Sequence, residues 1–297
     1  MRIEPVNATL GATVTGVDLE QPLSDADLAG LLRALGQYGV LCFPGQLIEA
    51  QALRDFSSRF GSLQMISSKS DINVPEVSIL SNVVEGGRLI GTPDAGQDWH
   101  TDMTYNRVPG FVNVLVAHKV PMRDGKPLGG TAFTNTQAAY DDLPAEIKTQ
   151  LANATALHDH NQFQELMRRK GSQRPPQTEA QLRARPPVSH PLFLTHPISG
   201  RKVIYVNPGF TARINELAPT ESDDMLKYLY AHVMQPRYAY THHWSVGDVL
   251  MWDHLGTWHC ALADYAPHEF RLMKRCQVMA DKVFDAPFLR EKLLATA

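Results

Sequence analysis

Gln97-Asp98-Trp99-His100-Thr101-Asp102 sets a histidine and an aspartate two positions apart, directly after a glycine-rich stretch over residues 86–97 that shows little periodicity. Side chains i and i+2 of an extended strand point the same way, so His100 and Asp102 can reach one ion together. A third donor of the right kind stands far downstream at His259. Two imidazoles and one carboxylate form the facial ligand set of mononuclear non-haem Fe(II) sites, which leaves three octahedral positions open. The spacing alone is a weak signal, because a histidine and an aspartate on a loop also serve as ordinary hydrogen-bonding groups. The rest of the chain has to decide.

The chain has 297 residues, 43% of them hydrophobic, enough for one large core or two modest ones. Lys and Arg total 28 against 31 Asp and Glu, a net charge of −3, and no block of like charge marks a nucleic-acid surface. The opening Met1-Arg2-Ile3-Glu4-Pro5 carries no apolar leader, and no apolar run is long enough to span a membrane. Cys42, Cys260 and Cys276 are odd in number and far apart, which fits buried thiols in a reducing cytoplasm. The expectation is a cytoplasmic protein that acts on small molecules, without nucleic-acid or membrane partners.

Outward from the opening hexapeptide, local patterns alternate between the two periods of secondary structure. Ser24 before Asp25 and Asp27 predicts a helix cap, with Leu28, Leu31, Leu32 and Leu35 on one face and Gly39 as the stop. Val40-Leu41-Cys42-Phe43 reads as a buried strand, and residues 50–60 as a second helix striped by Leu53, Phe56 and Phe60. Strands are predicted over 111–120, 131–136, 202–207, 248–252 and 271–280, and helices over 144–151 and 221–232. The polar, proline-rich stretch 171–187 reads as a loop excursion of the kind that covers active sites. We therefore expect one domain over 1–297, mainly β with flanking helices, with a lid-like excursion at about 160–190.

Several spaced motifs now stand in order: the hexapeptide, Gly129-Gly130-Thr131, Tyr205-Val206-Asn207, Trp252-Asp253, and His259 through Asp264-Tyr265 to Arg271 and Arg275. From Gly11 to about Asp281 the chain resembles the taurine dioxygenase family of Fe(II)- and 2-oxoglutarate-dependent oxygenases, which includes aryloxyalkanoate dioxygenases. The resemblance implies a double-stranded β-helix (a cupin-like jelly roll) with Fe(II) at its mouth held by His100, Asp102 and His259. It implies that 2-oxoglutarate is held by Arg271, a planar fork matched to a carboxylate, with Thr131 adding a hydroxyl. It implies that Arg275 binds the acidic group of the primary substrate; apart from the resemblance, Asn82 and Tyr105 are candidates for further polar contacts, with ordinary loop hydrogen bonding as the alternative for each. Arg275 lies four residues beyond Arg271 and so on the same strand face, which is consistent with one anion for each guanidinium.

The chain departs from the family at four points. The acidic residue usual between Gly-Gly and Thr is missing at 130–131, and one extra residue separates His259 from Arg271. His254 stands where asparagine is more usual, and the stretch 62–74 lacks the histidine that taurine and aryloxyacetate enzymes carry there. Taurine itself is thereby disfavoured. The other paired histidines (His158 with His160, His190 with His196, His242 with His243) have no matching partners and read as structural.

The reading that follows is a dioxygenase using O2 that hydroxylates a small sulfonate or carboxylate, releases succinate and CO2, and is a homodimer or homotetramer. Where the hydroxylated carbon bears a leaving group, the product fragments. A non-catalytic jelly-roll protein that binds metal or ligand, and a zinc hydrolase, are the rivals; the second gives Arg271 no task.

Overall fold

The computed structural model describes residues 1–65, 69–172 and 175–294. Residues 66–68 of the histidine-free stretch, Gln173 and Arg174 of the expected excursion, and the last three positions of the expected single domain lie outside the described residues.

A seven-stranded sheet is the backbone of the molecule. Its order is Arg2–Pro5, Ala12–Thr15, Val40–Phe43, Val249–Asp253, Gly110–Lys119, Leu272–Met279 and Val77–Ser81. Only Ala12–Thr15 and Val40–Phe43 run parallel; the other pairs are antiparallel. A three-stranded antiparallel sheet of Ala239–His242, Thr131–Asn135 and Thr257–Ala261 stands apart from it. Phe133 and Trp244 pack with Val40, Leu115, Leu250, Trp252 and Met273 to form the layer between these two sheets. Among the described residues no sheet closes on itself into a barrel.

On the other side of the large sheet, the helices Asp25–Tyr38 and Ala50–Ser58 bury Leu28, Leu31, Leu32, Leu35, Leu53 and Phe56 against Leu41, Phe43, Val112, Val114, Val116, Val249 and Met251. The first helix forms as its sequence dictates. Ser24 Oγ accepts from Asp27 N, and Gly39 closes the helix at φ +66°, in the left-handed region where a side chain is strained. Both faces of the large sheet are therefore covered, which is why Phe111–Ala117 reads as a nearly unbroken apolar run interrupted by Asn113.

The excursion expected at about 160–190 carries more structure than its composition implied. Helix His160–Arg169 is capped by Asp159, and a short helix Glu179–Ala184 is closed by a Thr178/Gln181 capping box. Strand Val188–Pro191 then pairs with Thr155–His158. Phe163 and Met167 on one face of the longer helix meet Phe210, so the segment is anchored by a small apolar cluster of its own. The sequence reading missed it because only two buried apolar positions mark that helix. No helix among the described residues is long and apolar enough to cross a membrane.

Candidate metal centre

His100 and His259 face each other across an isolated antiparallel bridge. His100 N donates to His259 O at 3.1 Å and His259 N donates to His100 O at 2.8 Å, which sets their rings 4.2 Å apart between centroids. Asp102 arrives differently from the strand geometry expected of it. The extended backbone gives way to a turn over residues 102–105, and Met103 takes φ +61°. A methionine in the left-handed region is strained, and such strain sits where the surroundings hold a functional geometry in place. The turn, rather than strand alternation, brings the carboxylate in. One donor atom from each of His100, Asp102 and His259 lies within 4.8 Å of the others, and all three residues are buried.

The unused atoms of two of these side chains are fixed. His100 Nδ1 lies 2.7 Å from the carbonyl oxygen of Asp98, which places the proton on Nδ1 and turns the Nε2 lone pair toward Asp102 Oδ1, 3.2 Å away. Asp102 Oδ2 accepts from Asn113 Nδ2 at 2.8 Å, Gln277 Nε2 at 3.0 Å and Arg275 Nη1 at 3.2 Å. Burial raises the Asp102 carboxyl, but the neighbouring Arg275 guanidinium, first among the groups that favour the anion, helps hold it well below the usual carboxylate range. His259 is pushed below its ordinary value by burial and by His100, so it is a neutral imidazole. Two imidazoles and one anionic carboxylate, preformed and buried, fit a divalent first-row ion such as Fe(II).

A cavity of about 320 Å³ opens on His100 and Asp102. One wall is the sheet: Ser78, Leu80, Arg275 and Gln277. The facing wall comes from Tyr105, the helix residues His160, Phe163 and Gln164, and Phe210. Phe163 and Phe210 lie 5.3 and 6.0 Å from the His100 ring. The chain passes this close because position 209 is glycine; a Cβ there would sit 2.7 Å from His100 Cβ. Burial and the nearby Asp102 push the Tyr105 phenol up to about 12, so it is a neutral hydroxyl at any working pH.

Arg271 belongs to a neighbouring compartment. It is 5% exposed, its Nε has no hydrogen-bond partner, and among the described residues no carboxylate pairs with it. Burial lowers its affinity for a proton, with Tyr265 acting in the opposite direction. A buried guanidinium without a counter-ion is a socket for an anion. Gly129, at φ +67°, leaves room for it: a Cβ there would sit 3.1 Å from Arg271 Cδ. Thr131 Oγ1 accepts the Trp244 indole N–H at 3.0 Å, which leaves the threonine hydroxyl hydrogen free to donate.

The structure thus brings His100, Asp102, Arg275 and Tyr105 to one cavity, with His259 clustered against the first two. Asn82 lies outside it: its amide donates to Glu269 O at 3.1 Å and its carbonyl accepts from Arg271 N at 2.8 Å, pinning the loop that carries Arg271. Asn113 and Gln277 were not singled out in the sequence, although a lone amide in the middle of an apolar strand was a readable signal. His160, set aside with the paired histidines, lines the cavity with its ring 4.7 Å from Tyr105. His158, His190 and His196 are bonded to Thr211, to the Asn106 carbonyl and to Asp253.

Comparison with known proteins finds a matching family and several relatives. The family profile described as "Taurine catabolism dioxygenase TauD, TfdA family" matches residues 2–277. Pentalenolactone F synthase of Streptomyces arenae is 33% identical, over 97% of this chain and 97% of its own length. The alpha-ketoglutarate-dependent 2,4-dichlorophenoxyacetate dioxygenase of Burkholderia sp. (strain RASC) is 31% identical, over 81% of this chain and 82% of its own. Among solved structures, a putative alpha-ketoglutarate-dependent 2,4-D dioxygenase from Burkholderia xenovorans superposes with TM-score 0.77 at 28% identity, covering 94% of this chain and 97% of that one.

Proposed function

The chain belongs to the TauD/TfdA family of alpha-ketoglutarate-dependent dioxygenases, enzymes that use Fe(II), 2-oxoglutarate and O2, and on that premise we propose that it hydroxylates a small organic carboxylate with an apolar body. Succinate and CO2 are the coproducts. The observation that carries the proposal is the pairing of a preformed His100/Asp102/His259 donor set with two separate arginines, one of them buried without a counter-ion. When bound, iron and 2-oxoglutarate supply the oxidising power; the protein supplies position and dryness. We read the two sheets facing each other across the Phe133/Trp252 layer as the family's double-stranded β-helix.

In this reading His100 Nε2, Asp102 Oδ1 and His259 Nε2 hold the metal. Arg271 receives the distal carboxylate of 2-oxoglutarate as a charge-assisted pair, with the Thr131 hydroxyl as an added donor. Asn82 serves that site by holding the Arg271 backbone. Arg275 lies across the cavity from Phe163 and Phe210 and takes the substrate's acidic group, while the Tyr105 hydroxyl offers one hydrogen bond. Because the same guanidinium also contacts Asp102 Oδ2, substrate anion and metal carboxylate share one cation. The rings of Tyr105, Phe163 and Phe210 favour an aryl or alicyclic body over a short, fully polar sulfonate. Sulfonates with an apolar chain satisfy the same cation. Where the carbon hydroxylated carries an ether or sulfonate, the product fragments.

Anaerobic addition of Fe(II) and then 2-oxoglutarate to the protein should produce the weak visible charge-transfer band of the chelate. Its absence with folded protein defeats the proposal. A succinate-release screen over aryloxyalkanoates, alicyclic carboxylates, alkylsulfonates and taurine should then give turnover with the first two classes; turnover with taurine alone refutes the apolar-body assignment.

A further inference from the structure

We infer that His254 is a positioning residue for the metal centre: it takes the Nδ1–H of His259 and so holds the third ligand as Asn113, Gln277 and the Asp98 carbonyl hold the other two. The inference rests on the metal role proposed for His259.

The three donors are unequally supported. His100 Nδ1 and Asp102 Oδ2 have partners at 2.7 to 3.2 Å. His259 Nδ1 is buried with none. An imidazole that offers its Nε2 lone pair to a metal carries its hydrogen on Nδ1, and ligand histidines are oriented by whatever accepts that hydrogen. Besides His100, whose Nδ1 is already bonded to the Asp98 carbonyl and whose Nε2 faces Asp102, three rings stand around His259. Phe133 and Trp252, at 6.3 and 5.1 Å between centroids, have no acceptor to give: one is a hydrocarbon and the other a donor only. The third is His254, 5.8 Å away and tilted by 43°.

His254 is 1% exposed, and neither of its ring nitrogens has a partner. It reaches this position from the end of the central strand Val249–Asp253, where its N donates to Phe111 O at 2.7 Å. Gly110 is packed against its ring; a Cβ at Gly110 would sit 3.2 Å from His254 Cδ2. A neutral imidazole has one acceptor nitrogen, and the His259 N–H is a buried donor beside it without another destination. The separation is closed by a ring rotation or by one bridging water. A structural histidine that merely filled space would gain nothing from two nitrogens in so dry a place, where an apolar ring packs without loss.

The test is metal binding, which needs no substrate. Mn(II) titration of the metal-free protein, followed by electron paramagnetic resonance, should show His254→Phe binding about 10–100-fold more weakly than wild type. His254→Asn, whose amide oxygen can accept the same hydrogen, should recover most of that loss. The Fe(II)–2-oxoglutarate charge-transfer band should shift in the phenylalanine variant and return in the asparagine variant. Thermal unfolding of the metal-free proteins separates positioning from packing. Affinity within twofold of wild type in a folded His254→Phe protein overturns the inference. So does an asparagine variant that is as stable as wild type yet binds metal as poorly as the phenylalanine variant. Should His254→Phe fail to fold, the asparagine variant and an imidazole N–H resonance decide: in the Zn(II)-loaded wild type the His259 Nδ1–H should exchange slowly with water, and rapid exchange refutes the role. Failure of wild-type protein to bind Mn(II) is a different result, one that removes His259 from the metal centre.

Discussion

Arg271→Met should make the empty enzyme more stable while it abolishes binding of the cosubstrate. Arg271 is 5% exposed, and among the described residues no carboxylate faces it. Replacing buried ionic groups with well-packed apolar ones of similar volume commonly stabilises by about 1–4 kcal/mol. Methionine follows the path of the arginine stem beside Gly129, so the lower half of that range applies, about 1–2 kcal/mol. The opposite effect on ligand is larger. A two-pronged pair with a carboxylate comprises two charge-assisted hydrogen bonds at about 1.5–3 kcal/mol each. Losing both raises the dissociation constant for 2-oxoglutarate roughly 10²–10⁴-fold at about 1.4 kcal/mol per tenfold. The assay is denaturant unfolding of metal-free protein with and without saturating 2-oxoglutarate and Mn(II). Wild type should gain stability from the ligand, whereas the variant should start higher and gain almost nothing. The reasoning fails if the variant is destabilised by more than about 1 kcal/mol while folded, or if it binds 2-oxoglutarate within about fivefold of wild type.

Three further outcomes follow from the same geometry. Asn113→Leu removes one donor from Asp102 Oδ2 and should weaken Mn(II) binding about 10–100-fold with little change in 2-oxoglutarate affinity once metal is saturating; unchanged metal affinity would show that Gln277 and Arg275 suffice. Gly129→Ala places a methyl group 3.1 Å from Arg271 Cδ at a positive-φ position, so it should lower stability by about 1 kcal/mol or more and raise the 2-oxoglutarate KM while substrate affinity is kept, as read from steady-state succinate release. Burial holds His254 down to about 4, and burial with the nearby His190 holds His158 down to about 3, whereas both return to about 6.5 on unfolding. The unfolded chain therefore binds more protons below pH 6.5, and stability should fall as pH drops from 6.5 toward 4, by at most about 1.4 kcal/mol per pH unit for each residue. Urea unfolding of metal-free protein at pH 7, 6 and 5 reads this slope; a flat profile that is unchanged in His254→Asn contradicts it.

The proposed ligand set could be read as a candidate because its chemistry needs particular residue types, and no other pairing in the chain joined a histidine and an aspartate to so many ordered motifs; the structure brings the three side chains together. The helices at 25–38 and 50–58 and the central strands were legible because caps and apolar periods mark them. Asp102 was placed by strand alternation yet is delivered by a turn, since a single left-handed methionine leaves no compositional trace. The helix at 160–169 went unseen for the opposite reason: it has a cap but only Phe163 and Met167 to bury, and its packing partner Phe210 lies beyond the reach of any local window. Asn82 was open to two readings, because a polar side chain near a pocket looks the same in sequence whether it faces the ligand or ties a loop; its bonds to Glu269 O and Arg271 N are of the second kind. Asn113 was the missed opportunity, for an amide inside Phe111-Val112-Asn113-Val114-Leu115 needs a polar partner and so points to a buried charge.

The reciprocal backbone pair between His100 and His259 also dictates when this enzyme becomes an enzyme. More than half the chain lies between the two residues, so the bridge that places their rings side by side cannot form on a growing polypeptide until the strand Thr257–Ala261 has emerged. Before that moment the nascent protein has a histidine and an aspartate but no site, and free iron finds nothing there that competes with the solvent. On the proposed ligand assignment, metal capture therefore reports that synthesis has reached the last strands. On that assignment, the same topology leaves the incomplete chain without a preformed metal site until the pocket exists.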